Sequence, residues 1–500
     1  MSAIPITFEE YSKADFQLED LDSLVERKAS ANWSEMGCYK TTSALWLAQQ
    51  RFEKEGIKNP ALLIVTSKNG KGTYFDAIPK TLPGWKFVNV HTQKVTNVEL
   101  GQFEFNIDGK EFAQLVLGET PTVVLAHYHC FTNDAQIKDV LYAITWDMIV
   151  LDEAHRIKDR DAQWTRNLKQ LKTDPVAGTR HVMTGTGFVN RPDEIWSLLN
   201  FVDRHEWSSY WNFRSEYCWE EVDLVTGYTM IKGIKPDKLE EFRQLRKDMG
   251  PRRRLAEVRP DIAEPIFSSI TVELNATQKK MYSEIQDYLY TLDQNGTPIV
   301  SPNVLSQLNR LRQISVATPE KIDEYYDEKQ ERRVQKIRLV EPSSKLDAVM
   351  ELLESLEWDD EDRQQIVVFS CFKDPLDLLE YRLYSKKIPY LHMKAEMNDR
   401  DRYKLWHDEF PKKEHRVFLS SLQLGAESIN LACAERAVFL DRSWSPKDNI
   451  QAVGRIYRPG QTGQAQMINI NAKGTVDARV KALNDIKGSW FKDIFGEDAE

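Results

Sequence analysis

Two adjacent carboxylates, Asp152 and Glu153, follow directly on the apolar run at residues 148–151. Such a run predicts a buried strand, and the carboxyl ends of buried strands form the binding crevice of an α/β sheet. Two ionised carboxylates are costly there unless they have a partner, so a divalent cation is a natural one. Asp152 would then hold the metal ion, and Glu153 would orient or deprotonate an attacking water. Because acids also suit the start of a helix, the pair alone leaves a simple helix cap open.

A second segment, SEMGCYKT at residues 34–41, leads into a helix-forming stretch. A phosphate-binding loop at a helix start needs small residues for close backbone approach, a lysine for the outer phosphates and a hydroxyl for Mg²⁺. Gly37, Lys40 and Thr41 fill these three roles. Tyr39 stands where a glycine is usual, and the strand expected just upstream has little apolar character. By itself the segment fits a phosphate loop and an ordinary charged helix start about equally.

A third segment follows the short apolar run at residues 182–183 and reads TGTG. Thr184, Gly185 and Thr186 are small or hydroxyl-bearing, so this loop is able to sense whether a neighbouring phosphate site is filled. As an isolated turn the sequence would mean little. Its value lies in following the other two segments along one chain.

The apolar runs before these loops belong to a longer series. Short apolar runs that end in small or polar residues recur in both halves of the chain, at residues 62–65, 123–125, 148–151, 182–183, 366–369, 417–419, 437–440 and 467–470. Buried parallel strands have this pattern, because helices cover both faces of their sheet. The series therefore predicts an α/β fold with two lobes, each built on a twisted parallel sheet.

Aromatic and charged stretches interrupt the two series, and we interpret them as helical insertions. We place the first lobe at residues 1–265 with a helical insertion near 205–250. The second lobe is placed at residues 266–500 with a helical insertion near 275–340. The charged stretch inside the second insertion, which includes residues 329–336, is either a solvated helix surface or a clamp for a partner, and the sequence leaves both open.

Composition limits the classes of partner without choosing one. The chain of 500 residues carries a formal net charge of −10, which does not favour nucleic acid, although a local basic groove can lie on an acidic body. The five cysteines are scattered and form no C-x-x-C pair, which indicates reduced thiols in an intracellular compartment. No apolar run is long enough to span a bilayer, so we expect no membrane partner.

Taken in order, the motifs resemble those of the Swi/Snf-type family of DNA-dependent ATPases within helicase superfamily two. WDMIVLDEAHRIK at residues 146–158 is similar to the family's Walker B segment, and TGTGFVNRPDEIWSLLNF at residues 184–201 is similar to its third motif and the helix that follows. FQLE at residues 16–19 resembles its glutamine motif. Further similar segments lie, in the family's order, at residues 308–313, 343–346, 367–370, 425–431, 441–446 and 451–461. The resemblance covers nearly the whole chain and implies two RecA-like lobes.

The resemblance implies ATP and Mg²⁺ as cofactors of the first lobe. Lys40 would contact the terminal phosphates, and Thr41 with Asp152 would position Mg²⁺. Glu153 would prepare the water, and Gln17 would lie near the adenine.

The resemblance also implies that the second lobe takes part in hydrolysis. Arg455 and Arg458, close to Gln451 in the last motif, would act as arginine fingers that stabilise charge in the transition state. Their spacing of three residues would put both on one helical face. Thr184 and Thr186 would couple the state of the nucleotide to lobe movement.

Double-stranded DNA is the partner that the resemblance implies, tracked without wholesale strand separation. Contacts should fall mainly on phosphates and carry little sequence information. Lys68, Lys71 and Ser421, on loops after strands, are candidate contacts. We expect a monomer that also meets DNA-bound proteins, in the cytoplasm of a bacterial or phage-infected cell rather than in a nucleus.

Three departures from the family pattern keep alternatives open. Tyr39, Gly187 and Ser428 each replace a residue expected at a tight backbone site, and the bulk of Tyr39 could block the approach of a phosphate. One alternative is therefore a catalytically weakened DNA-binding scaffold. A second is an RNA helicase, because DEAH also occurs there, and a remoter third is a remodeller whose substrate is a DNA-bound protein.

Overall fold

The computed structural model describes residues 14–68, 70–91, 95–97, 103–105, 109–133, 137–185, 191–222, 229–301, 303–327, 332–356, 364–425 and 429–495. The chain forms two compact units, Met1–Pro260 with Lys487–Glu500, and Asp261–Ile486. Among the described residues, no helix combines the length and the apolar character that crossing a bilayer requires.

The first unit is built on an eight-stranded sheet with the order β1-β10-β8-β2-β6-β3-β4-β5. Its strands, with two short or peripheral pairs, are β1 Ala29–Asn32, β2 Ala61–Thr66, β3 Lys86–Val90, β4 Val95–Asn97, β5 Phe103–Phe105, β6 Thr122–His127, β7 Thr145–Trp146, β8 Met148–Asp152, β9 Lys172–Thr173, β10 Thr179–Met183, β11 Cys218–Val222 and β12 Thr229–Ile234. Its helices are α1 Asp15–Leu24, α2 Lys40–Glu55, α3 Lys71–Thr81, α4 Gly109–Val116, α5 Ile137–Tyr142, α6 Gln163–Leu168, α7 Trp196–Val202, α8 Tyr210–Tyr217, α9 Leu239–Met249 and α10 Leu255–Val258.

The predicted parallel sheet is confirmed in this unit. The four apolar runs of the first half lie within β2, β6, β8 and β10, and every residue of β2 and β6 is buried. Across the sheet, the six strands β1, β10, β8, β2, β6 and β3 pair in parallel, and only β4 and β5 at one edge pair antiparallel. Burial on both faces explains why these runs are continuously apolar instead of alternating.

The register of three neighbouring strands aligns their carboxyl ends. Asn32 at the end of β1 pairs with Met183 at the end of β10, and Met183 pairs with Asp152 at the end of β8. The loops that begin after these residues therefore start side by side at one edge of the sheet. This is the position at which parallel α/β sheets bind ligands.

The strand before the phosphate loop is present in spite of its weak apolar character, so the sequence-based doubt about it was wrong. Polar side chains of β1 are buried because they have partners within the sheet. The Ser30 hydroxyl lies 2.8 Å from Nδ1 of His181 on β10, and the Asn32 side chain accepts a hydrogen bond of 3.0 Å from the Ser34 N–H. A buried polar group with a partner escapes most of its desolvation cost.

The first insertion is only partly helical, which corrects the expectation for residues 205–250. Between α8 and α9 the chain forms an antiparallel hairpin of β11 and β12. Its strands carry valine, isoleucine, threonine and tryptophan, residue types that favour a pleated surface over a helix.

The second unit holds a six-stranded sheet with the order β13-β22-β21-β18-β20-β19, and every pairing in it is parallel. The strands of the unit are β13 Ile266–Val272, β14 Tyr290–Leu292, β15 Pro298–Val300, β16 Thr318–Asp327, β17 Arg332–Val340, β18 Ile366–Ser370, β19 Tyr390–Met393, β20 Val417–Ser421, β21 Arg436–Phe439 and β22 Gln466–Ala472. Its helices are α11 Ala276–Tyr288, α12 Val304–Val316, α13 Ser344–Ser355, α14 Lys373–Ser385, α15 Asp399–Tyr403, α16 Leu422–Gly425 and α17 Pro446–Val453, and α18 Val476–Phe495 begins in this unit. The apolar runs predicted for the second half lie on β18, β20, β21 and β22.

The second insertion also differs from the helical expectation for residues 275–340. Helices α11 and α12 are present, but two antiparallel hairpins, β14 with β15 and β16 with β17, accompany them. The part of the charged stretch from Arg332 onward lies on strand β17, and charges of this strand pair across the hairpin: Arg338 lies 2.6 Å from Glu320, and Arg333 lies 3.7 Å from Glu324. Cross-strand ion pairs of this kind stabilise a hairpin. Residues 328–331 lie outside the described residues.

A largely buried ion pair ties the start of α13 to the start of α18. The Lys345 side chain is 0% exposed, and its Nζ lies 2.7 Å from Oδ2 of Asp477. The same Nζ donates a hydrogen bond of 2.8 Å to the Leu440 carbonyl. The lysine of the SSKL motif is therefore a structural cation of the second unit.

Replacing Lys345 with alanine should leave the Asp477 carboxylate buried without its cation. We expect the free energy of unfolding of the second unit to fall by about 3–5 kcal/mol, measured by urea denaturation of the whole chain. Lys386→Ala is the control, because it removes an ion pair of 3.0 Å with Glu354 whose side chains are 61% and 50% exposed. The control should lose less than about 1 kcal/mol, and equal losses in the two variants would contradict the structural role.

Candidate active site

The loop between β1 and α2 has the backbone shape of a phosphate cradle. Gly37 and Tyr39 both take positive φ angles, 83° and 55°, and α2 begins at the next residue, Lys40. A helix of 16 residues presents free N–H groups and a positive dipole end at this point. Tyr39 thus adopts the left-handed conformation for which glycine is usual, at a strain of about 1–3 kcal/mol.

The side chain of Lys40 folds over this loop. Its Nζ donates hydrogen bonds of 2.8 Å to the Ser34 carbonyl and 2.6 Å to the Glu35 carbonyl. The ammonium therefore lies inside the turn of the loop, where the oxygens of a bound phosphate could replace the two carbonyls as acceptors.

The acid pair lies where the sequence predicts it, at the end of β8. Asp152 accepts a hydrogen bond of 3.0 Å from the Thr66 hydroxyl and one of 2.9 Å from the Glu153 N–H. Glu153 has a φ of 51°, and the 3-10 turn Ala154–Ile157 follows it. Its side chain makes no capping hydrogen bond to that turn, so the helix-cap interpretation does not account for the carboxylate.

The phosphate loop and the acid pair are close enough for their charges to interact, as the pKa of Asp152 indicates. Burial, reinforced by the neighbouring Glu153 charge, raises the pKa of Asp152 to about 6, although Lys40 and hydrogen bonds oppose the rise. The fully buried Tyr74 hydroxyl, on α3, lies close to both Asp152 and Thr41. Burial and the Asp152 charge hold the pKa of Tyr74 well above its usual value, so this phenol stays protonated.

The third motif touches both of the other segments. The Thr184 hydroxyl lies 3.2 Å from Nδ1 of His155, and the same nitrogen lies 3.3 Å from the Glu153 carboxylate. A Cβ placed on Gly185 would come within 3.3 Å of the Ser34 carbonyl oxygen. A contact chain therefore runs from the acid pair through Thr184 to the phosphate loop. Thr186 and Gly187 lie outside the described residues.

Gln17 attaches the first helix to the start of α2. It is 2% exposed, and its Nε2 donates a hydrogen bond of 3.0 Å to the Ser43 hydroxyl. Its Oε1 accepts one of 3.2 Å from the Ala14 N–H. Gln17 is thus anchored to the first turn of α2, at Ser43, close to Lys40 at the start of that helix.

The motif residues of the second unit lie near the end of α17. Gln451 is on this helix, whereas Arg455 and Arg458 follow its last residue, Val453, in a turn. The expectation that both arginines share a helical face is therefore wrong, because the helix ends before Gly454. Arg458 donates a hydrogen bond of 3.0 Å from Nη1 to the Ile429 carbonyl. Arg455 and Gln451 are both buried, at 6% and 5% exposure, and Ser428 lies outside the described residues.

The candidate DNA contacts differ in accessibility. Lys71 is 5% exposed, and its Nζ donates to the Asn89 side chain at 2.8 Å and to the Val90 carbonyl at 2.5 Å. Burial lowers its pKa to about 8, so Lys71 is a structural residue rather than a phosphate contact. Lys68 is exposed, and Ser421 accepts a hydrogen bond of 3.3 Å from the Leu424 N–H.

Sequence reasoning missed a buried network in the second unit. Asp441 accepts a hydrogen bond of 2.7 Å from Arg312 and another of 2.7 Å from the Ser370 hydroxyl. Arg312 and Asp441 belong to two motifs of the resemblance that are 129 residues apart. Their pairing joins the helical insertion to the sheet. The signal available in the sequence was an arginine in one motif, LNRLRQ, and an aspartate in the other, DRSWSP, which carry opposite charges.

Comparison with known proteins agrees with this arrangement. The family model of the SNF2-related domain matches residues 33–320, which is more than half of the chain. The model of the helicase conserved C-terminal domain matches residues 344–460.

Individual relatives are longer than this chain. The CHD3-type chromatin-remodeling factor PICKLE of Arabidopsis thaliana is 24% identical over 472 residues, 91% of this chain and 32% of that protein. Human chromodomain-helicase-DNA-binding protein 1 is 25% identical over 482 residues, 93% of this chain and 26% of its own length. The chain thus spans about a third or less of these relatives. A solved Sulfolobus solfataricus SWI2/SNF2 ATPase core in complex with dsDNA is 21% identical, with a TM-score of 0.39 over 96% of this chain and 92% of that one.

Asp152→Asn should stabilise the protein when metal and nucleotide are absent. The folded carboxyl loses its proton near pH 6, whereas in the unfolded chain it does so near pH 4. Its charge therefore opposes folding fully above pH 6, and this penalty fades as the pH falls towards 4. We expect a higher Tm for the variant at pH 8 and a smaller gain at pH 5, by thermal unfolding in EDTA. Asp22→Asn, at an exposed position, should change the Tm little. A lower Tm for Asp152→Asn than for the wild type would contradict the claim that the Asp152 charge opposes folding.

Proposed function

Because this chain belongs to the SNF2-related domain family, we propose that it is an ATP-dependent motor that translocates on double-stranded DNA. One observation carries the proposal: Lys40, the Asp152–Glu153 pair and Thr184, which come from three separate segments of the sequence, lie at the carboxyl edge of one parallel sheet. Each has the chemistry that hydrolysis of a nucleoside triphosphate needs. The fold itself does not require these four side chains to come together at a ligand-binding edge, so their assembly favours a function in catalysis.

The residues of the first unit suit a Mg²⁺–ATP complex. The hydroxyl of Thr41 and the carboxylate of Asp152 are hard oxygen ligands, and the raised pKa of Asp152 marks a buried charge that a divalent cation would offset. Mg²⁺ would supply neutralisation of the phosphate charge. Lys40 would bind the outer phosphate oxygens, exchanging its two carbonyl acceptors for them.

Glu153 would orient the attacking water and accept its proton. Nδ1 of His155 lies close to both this carboxylate and the Thr184 hydroxyl, so Thr184 is placed to respond through His155 when the site changes. Arg455 and Arg458 of the second unit are proposed to stabilise the transition state. Arginine fingers contribute about 10³- to 10⁵-fold in related phosphoryl transfers.

Double-stranded DNA is the proposed track, and proteins bound to it are the proposed targets. Relatives that match across nine tenths of this chain are named as a chromatin-remodeling factor and a helicase-DNA-binding protein. The net charge of −10 requires that any DNA contact be local, through exposed cations such as Lys68. Tyr39 adopts the backbone conformation that a glycine would take, so the backbone of the loop does not favour the weakened scaffold, and the bulk of the side chain is tested by the nucleotide affinity of the wild type.

Two substitutions separate binding from hydrolysis. Glu153→Gln should lower kcat about 10²- to 10⁴-fold, because it removes the general base, while nucleotide still binds. Lys40→Ala should weaken nucleotide binding itself. Both are measured as steady-state ATPase activity and nucleotide affinity with duplex DNA present, against Glu240→Gln at an exposed site. Full activity in either variant would refute the assigned roles.

The choice of polymer is tested by comparing duplex DNA with duplex and single-stranded RNA as activators of ATPase activity. We expect stimulation by duplex DNA and ATP-dependent displacement of a third strand from a DNA triplex. Stimulation by RNA alone would instead favour an RNA helicase, and turnover independent of any nucleic acid would refute the motor.

A further inference from the structure

The last segment of the first unit lies along the phosphate loop. We call residues 250–259 the strap; they end just before Pro260, the last residue of this stretch of the unit. The Trp33 N–H donates a hydrogen bond of 2.9 Å to the Pro251 carbonyl, and the Glu35 N–H donates one of 2.9 Å to the Arg253 carbonyl. The backbone of the strap is therefore hydrogen-bonded to the residues that follow β1, at the start of the phosphate loop.

Side chains of the loop are bonded to the strap as well. The Ser34 hydroxyl accepts a hydrogen bond of 3.0 Å from the Arg253 N–H, and the Glu35 carboxylate accepts one of 2.9 Å from the Leu255 N–H. Arg252 donates from Nη1 to the Trp33 carbonyl at 3.0 Å. Every residue from Trp33 to Glu35 is thus held by the strap.

The strap begins with a close approach that only glycine permits. A Cβ added to Gly250 would overlap the carbonyl oxygen of Ala31 on β1. The strap therefore lies directly on the strand that precedes the loop, without an intervening layer of side chains.

The far end of the strap reaches the one residue of the loop that departs from the family pattern. Nη1 of Arg259 donates a hydrogen bond of 2.9 Å to the Tyr39 hydroxyl. Tyr39 is also the residue that holds a positive φ immediately before Lys40. A glycine there would offer the strap no side chain to bind, whereas the tyrosine hydroxyl accepts a hydrogen bond from it.

The strap also holds the helix that carries Gln17. The guanidinium of Arg253 lies 2.7 Å from the Asp20 carboxylate and 2.9 Å from the Glu19 carboxylate, both on α1. Gln17 on the same helix bonds to Ser43 on α2. One segment therefore braces both proposed ends of the nucleotide site, the adenine end and the phosphate end.

We propose that Arg259 is a positioning residue for the phosphate loop, which it holds through Tyr39, and that the strap makes nucleotide affinity respond to the exit of the chain from the first unit. The inference rests on the proposed function, because it concerns the same site. Strained Tyr39 keeps its left-handed conformation because its hydroxyl is held from outside the loop. A displacement of residue 259, which stands two residues before Asp261, the first residue of the second unit, would release that hold.

The test is a double-mutant cycle with Tyr39→Phe and Arg259→Gln, each of which removes one partner of the hydrogen bond. The KM for ATP and the affinity for a non-hydrolysable ATP analogue should weaken about fivefold to tenfold in either variant, and kcat should change less than the KM does. The double variant should match the single ones, because both remove the same interaction. Arg259→Lys should recover part of the affinity, since it restores a donor.

Matched controls separate positioning from general stability. Tyr142→Phe removes a hydroxyl hydrogen bond of 2.9 Å to the Asn167 carbonyl elsewhere in the first unit, and Arg243→Gln removes an exposed ion pair with Glu240. Both should leave the KM at the wild-type value. Unfolding by urea should show Tyr39→Phe and Tyr142→Phe to be similarly stable, so that a difference in affinity is not a difference in folding.

Three outcomes would overturn the inference: wild-type affinity in both Tyr39→Phe and Arg259→Gln, additive losses in the double variant, or equal losses in the Tyr142→Phe control. If wild type binds the ATP analogue but does not hydrolyse ATP with duplex DNA, the proposed motor fails. Weakened binding of the analogue in Tyr39→Phe and Arg259→Gln would then still support the positioning role of Arg259.

Discussion

Parallel pairing of β10 between β1 and β8 is the constraint on which the candidate site depends. Because the last residues of these three strands are in register, the phosphate loop, the acid pair and the third motif all leave the sheet at one edge. Hydrogen bonding between backbones does not depend on side-chain identity, so it tolerates the polar residues of β1. Because the backbone fixes where the loops begin, the side chains of the site are not needed to hold the strands together and can serve the chemistry.

The site stores unfavourable energy that the surrounding sheet compensates. Asp152 and Glu153 place like charges side by side in a partly buried position, and Tyr39 and Glu153 both hold positive φ angles. Such arrangements persist only when the neighbouring structure over-determines them. Here the strap, the Thr66 hydroxyl and the His155 ring provide that support, which also pre-organises the groups for a charged ligand.

The second unit uses buried ionic groups for a different purpose. Lys345 with Asp477 joins the helices α13 and α18, and Arg312 with Asp441 joins α12 to the segment after β21, through charges that are almost fully covered. Ion pairs of this kind contribute little net stability, but breaking one is costly. They fix which segments of the second unit lie against each other.

The sequence by itself determined the two parallel sheets and the proposed chemical roles of Lys40, Asp152 and Glu153, because continuous apolar runs and short motifs are local signals. It could not determine β1, both hairpins of the second insertion, the hairpin of the first, or the burial of Lys71. Buried Ser30 of β1 has its partner, His181, 151 residues along the chain, and Arg338 and Lys71 have partners, Glu320 and Asn89, that are 18 residues away on β16 and β3. The role of Tyr39 was also beyond the sequence, which showed a bulky residue in place of a glycine. Only the tertiary structure placed Arg259, 220 residues away, against its hydroxyl, since hydrogen bonding between remote segments leaves no periodic trace in the order of the residues.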